Sequence, residues 1–169
     1  NQLLRMGADC RALFFSDLGG RAMFGPLRDR IAIEDRVEAQ LRLLEEYRPS
    51  HIISFDTPQI LPHLAALEHR PQVIYEVHTI YPEYMEPLRD RQLMAPVDRY
   101  FVPSTYQRAV IEDYLPRDAV IHVVPNSLAR IFLEPPPIPK ATHPPIIVWV
   151  GRLDEVKNWR AFLRIAEEV

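Results

Sequence analysis

The sequence predicts a doubly wound α/β protein, in which helices flank a mostly parallel sheet. Short runs rich in β-branched and aromatic residues alternate along the chain with amphipathic segments of helical period. Those runs are apolar nearly throughout, as parallel strands buried on both faces are. The composition is that of an ordinary globular chain: 169 residues, 47% apolar and 25% charged, enough for one full core and part of another.

The elements follow in order. NQLLRMGADC (1–10) reads as the end of a helix that turns at Gly7 into a first strand, CRALFF (10–15). An earlier strand and its loop are therefore expected to be missing from the first domain. EDRVEAQLRLLEEY (34–47) places Val37, Leu41 and Leu44 on one helical stripe, and HIISF (51–55) is the second strand. TPQILPHLAALEH (57–69) and PEYMEPLRDRQLM (82–94) are weaker helices because Pro62 and Pro87 interrupt them. QVIYEVH (72–78), RYFVP (99–103) and VIHVVP (120–125) are three further strands. Between the last two, STYQRAVIEDYL (104–115) opens with Ser104 and has Gln107 three positions on, a capping-box spacing that turns Tyr106, Val110 and Tyr114 inward. A final strand, IIVWV (146–150), leads into NWRAFLRIAEEV (158–169). There Trp159, Phe162, Leu163, Ala166 and Val169 recur at helical spacing, with Asn158 as the N-cap.

Seven of the 17 prolines fall between Pro125 and Pro145. Consecutive prolines lack backbone donors and favour an extended spacer. The expected organisation is a first domain over residues 1–130, a linker over 131–145, and the truncated start of a second domain over 146–169. The chain does not begin with Met, and its first residues lack a secretion signal, so it reads as part of a longer, cytoplasmic gene product. Its formal charge of −3, with basic residues scattered, gives no case for a nucleic-acid binder. Cys10 alone cannot form an internal disulfide, and no apolar run approaches a membrane span. His51, His63, His69, His78, His122 and His143 show no paired metal-ligand spacing, so no metal is expected. Tyr84, Met85, Leu88, Arg89 and Arg91 mix apolar and basic character, which suits either peripheral membrane contact or a surface helix over the sheet.

VGRLDEVKNW (150–159) carries Gly151, Arg152 and Lys157 between an apolar strand and a helix start. Two cations and free helix amides at that position suit an anion. VDRYFVPSTYQRAVI, VIHVVPNSLARIFLEP and IIVWVGRLDEVKNWRAFLRIAEEV, in that order, resemble the middle of family 4-like GT-B glycosyltransferases. Upstream, PQVIYEVHTIYPEY is similar to that family's strand ending in His near the acceptor cleft. The likeness runs from about Leu3 to Val169. It implies a Rossmann-like acceptor domain, followed by the first strand and helix of a second Rossmann-like domain that binds a nucleotide-diphosphate sugar. Ser127 stands where the family has Gly, and the family's first glycine-rich loop and Glu-x7-Glu pair are absent. LGG at 18–20 follows the wrong strand to be that loop.

On this resemblance Arg152 and Lys157 stabilise the departing diphosphate without metal, Gly151 lets it approach the backbone, and Asn126 belongs to the donor-side loop. His78, at the carboxyl end of a buried strand, contacts donor sugar or acceptor. Asp56 and Glu76 are lesser candidates, Glu76 reading as an edge or ion-paired side chain rather than a base. Ser104 reads as a helix cap rather than a nucleophile, having no Asp and His pattern beside it. The expected activity is retaining hexosyl transfer to a sugar, lipid or protein acceptor. Alternatives are a nucleotide-sugar 2-epimerase and a non-catalytic nucleotide-binding or interaction domain. With most of the donor site beyond Val169, the chain by itself is expected to be inactive, and its apolar 146–169 segment to pack on the first domain or on a second copy.

Overall fold

The computed structural model describes residues 6–16, 25–126, 148–151 and 157–168. The chain divides into two compact units, Asn1–Asn126 and Ser127–Val169. The first is α/β with two parallel sheets. Strands β1 (Ala12–Phe14) and β2 (Ile31–Ile33) pair in one. Strands β3 (His51–Phe55), β4 (Gln72–Glu76), β5 (Arg99–Val102) and β6 (Ile121–Val123) form the other, in that order across the sheet. All three of its ladders are parallel, with Ile53 opposite Ile74, Tyr75 opposite Tyr100 and Tyr100 opposite Ile121.

The local chemistry explains the connections. Helix α1 (Val37–Tyr47) starts without a side-chain cap, but its entry is tied by Glu34, whose carboxylate accepts from the Arg36 backbone N–H at 3.0 Å and from its guanidinium at 3.1 Å. That Arg36 pairing holds the Glu34 carboxyl down to about 2. The fully buried Gln40 donates Nε2–H to the Glu34 carbonyl at 2.6 Å. The helix ends at Arg48, whose left-handed backbone (φ 44°) lets its N–H reach the Leu44 carbonyl at 2.9 Å. Pro58 and Pro62 keep the next segment in 3₁₀ form, Pro58–Ala66, because each proline withholds a helix donor. Pro82 and Pro87 likewise split the following connection into a short helix α2 (Pro82–Met85) and a 3₁₀ turn, Glu86–Arg89.

One face of the four-stranded sheet carries Val73, Tyr75, Tyr100 and Val102, buried against Ile60, Leu61, Leu64, Met85, Leu88 and Ile111. Val37, Leu41 and Leu44 of α1 pack onto the same cluster, as the helical stripe predicts. Helices on both faces are the sequence expectation; the core-packing side chains of α1 and of Pro82–Arg89 join the cluster on this one. The other face bears Ile53, 39% exposed, and Phe55, 54% exposed.

Helix α3 (Thr105–Ile111) begins at Ser104, whose Oγ accepts from the Gln107 N–H at 3.2 Å, so the cap forms as predicted. Val110 and Tyr114 pack against the core as predicted, but Tyr106 is 68% exposed and the buried Ile111 joins the core in its place. The amphipathic segment at 82–94 also turns inward. Met85 and Leu88 are each 1% exposed and lie in the protein core, whereas Tyr84 is 40% exposed. Among the described residues no helix is long and apolar enough to cross a membrane.

In the second unit, the predicted strand at 146–150 is not found over the described residues 148–150, and 146–147 lie outside them. Helix α4 spans Trp159–Glu168 with none of its residues buried. Asn158 precedes it with a left-handed backbone, φ 46°, rather than the extended form of an N-cap, and its carbonyl accepts from the Ala161 N–H at 3.0 Å. The linker at 131–145 lies outside the described residues.

Candidate functional site

In open parallel sheets, ligands bind beyond the carboxyl ends of the strands. Here that edge is built around β4. Its last residue, Glu76, lies level with Phe55 of β3 on one side and Phe101 of β5 on the other. Side chains alternate along an extended strand, so Glu76 and His78, two positions apart, point the same way. Their side chains meet: His78 Nε2 lies 2.6 Å from Glu76 Oε1. Glu76 is the more enclosed of the two, at 16% side-chain exposure against 35%. The Phe55 ring flanks the imidazole, with centroids 5.9 Å apart and planes tilted by 40°.

The backbone of His78 is fixed from two other elements. Immediately after β3, Asp56 takes a left-handed conformation (φ 45°), its N–H donating to the Glu76 carbonyl at 3.1 Å. Aspartate tolerates this region better than most residues. Its carboxylate then accepts from the His78 N–H at 2.9 Å. From α3, Gln107 donates Nε2–H to the His78 carbonyl at 2.8 Å. In a full capping box the Gln107 side chain would turn back to its own helix end. Here it reaches across to the neighbouring strand end, and its Oε1 accepts from Ser104 Oγ at 3.3 Å. One residue is thus held at its amide, its carbonyl and its ring by side chains from three segments.

Chemically, this is a carboxylate–imidazole pair at the mouth of a parallel sheet, partly open to solvent and flanked by the Phe55 ring. It can bind, orient and exchange a proton with a polar ligand. Among the described residues no cluster of His, Cys, Asp and Glu is arranged to hold a metal ion. Two open grooves of about 360 and 380 Å³ lie elsewhere, beside Asp98 and beside His69, near the amino ends of strands β5 and β4.

Of the residues singled out in the sequence, His78 is the one around which the described contacts build a site. Asn126 is exposed at the end of the first unit, three residues past β6. Lys157 is exposed one residue before Asn158, and Arg152 lies outside the described residues. At Gly151 an added β-carbon would come within 2.8 Å of the Trp149 ring. Asp56 and Gln107 are the contributors that sequence reasoning underrated. The available signal was the Glu-x-His spacing on a strand, together with a capping glutamine after the next strand. No protein-family model, curated protein or solved structure matches the chain.

Proposed function

We propose that the chain belongs to an enzyme that moves a hexose from a nucleotide-diphosphate sugar to a sugar, lipid or protein acceptor, with residues 1–126 forming the acceptor side. The observation that carries this reading is His78 itself, a bracketed and partly exposed imidazole at the carboxyl end of the central strand, within the stretch YEVHTIYPEY. The order of the segments VDRYFVPS, VVPNS and VGRLDEVKN supports it. In this reading the parent has a GT-B fold with two Rossmann-like domains, works in the cytoplasm and needs no metal. Asn126 and Gly151 border the donor, and Arg152 and Lys157 neutralise the leaving diphosphate.

A donor-panel assay on the natural gene product containing this sequence tests the proposal, with sugar transfer and simple donor hydrolysis read separately. Removing one preorganised oxyanion donor typically costs about 2.7–4 kcal/mol, or 10²–10³ in kcat. The Arg152→Ala and Lys157→Ala variants are expected to lose activity on that scale. Unchanged turnover and donor affinity in the double variant would rule the reading out.

A further inference from the structure

We propose that Glu76 is a positioning residue that holds His78 in a single tautomer, with the proton on Nε2 and the lone pair on Nδ1. An ionised carboxylate can only accept hydrogen bonds, so the 2.6 Å contact requires a proton on Nε2. A neutral imidazole has one ring proton. Its other nitrogen is then an acceptor, and Nδ1 of His78 has no hydrogen-bond partner among the described residues.

The surroundings make the assignment durable. Moving the proton to Nδ1 would place the Nε2 lone pair against the Glu76 carboxylate, acceptor against acceptor, and flipping the ring would put Cε1 there and forfeit the bond. Moving the whole residue would break the bonds from its N–H to Asp56 and from Gln107 to its carbonyl. Phe55 and Phe101 sit level with Glu76 on either side, and low-polarity neighbours strengthen a charge-assisted bond. The ionisable groups in contact with His78 are Glu76, at the ring, and Asp56 from the end of β3, whose Oδ1 is engaged by the His78 amide. The group offered to a ligand is consequently an acceptor, and the ligand chemistry that fits it is a hydroxyl. If that hydroxyl belongs to a sugar, Nδ1 is the atom that takes its hydrogen bond. This last identification rests on the sugar-transfer reading, whereas the tautomer does not.

Nitrogen-15 spectra of the His78 ring, recorded on the 169-residue chain at a pH where the ring is neutral, test the inference. The wild type is expected to show a protonated-type shift at Nε2 and an unprotonated-type shift at Nδ1. Glu76→Gln keeps a carbonyl acceptor and is expected to preserve that pattern. Glu76→Ala removes the acceptor, and the two nitrogens are expected to move towards each other as the tautomers average. A reversed or averaged pattern in the wild type overturns the proposal, as does an unchanged pattern in Glu76→Ala. Should the alanine variant fail to fold, the wild type and Glu76→Gln spectra decide the question. A failed donor assay leaves this inference standing, and a failed tautomer measurement leaves the donor assay untouched.

Discussion

At the scale of single residues, the site depends on Asp56 as much as on His78. Asp56 does two things that few residues can combine: it adopts a left-handed backbone and presents an acceptor to the His78 amide. Alanine would keep neither advantage, and the expected loss is about 1–2 kcal/mol from the hydrogen bond and the unfavourable φ together. Asn, which tolerates the same conformation and retains an oxygen acceptor, is expected to stay within about 0.5 kcal/mol of wild type. Urea unfolding of Asp56→Ala and Asp56→Asn measures both, and equal stabilities would show that this clamp contributes nothing. His78 was legible in the sequence because it ends an apolar run. Its partners were less so, since nothing in HIISFD announces a positive φ at the aspartate, and the ion pair expected of Glu76 gave no sign that its partner was His78.

At the scale of elements, five of the six strands read from the sequence are present, HIISF in full and four with trimmed ends. Ile31–Ile33 was missed because a three-residue IAI run is too short to display a period. Tyr106 misled for a different reason. A seven-residue helix has under two turns, so one position of phase error puts a ring in water. The cap that starts this helix was readable, and it links fold to site, because the glutamine whose amide it satisfies also reaches His78. Ser104→Ala is expected to cost about 1 kcal/mol. It should also speed hydrogen exchange at the Gln107 amide, which loses its acceptor. Unaltered exchange at that amide would mean that the Ser104 hydroxyl is not the group that holds it.

At the scale of the whole molecule, the buried tyrosines set an alkaline limit. Burial pushes the Tyr100 phenol up to about 12, and burial with the nearby Asp56 charge pushes Tyr75 higher still. Above pH ~10 the unfolded chain releases these protons while the folded one retains them, so stability is intact below that value and declines as pH climbs towards 12 and beyond. The urea midpoint is expected to fall between about pH 10 and pH 12, and Tyr75→Phe with Tyr100→Phe should flatten that fall. An equally steep decline in the double variant would place the cause elsewhere. Parallel α/β architecture was legible at this scale because buried strands write themselves as apolar runs. Which sheet face the helices cover was not, since side-chain alternation is the same for either choice. The strand order β3-β4-β5-β6 has one more effect. Each ladder joins a strand to the one synthesised just before it, so a nascent chain can add one rung at a time as it leaves the ribosome.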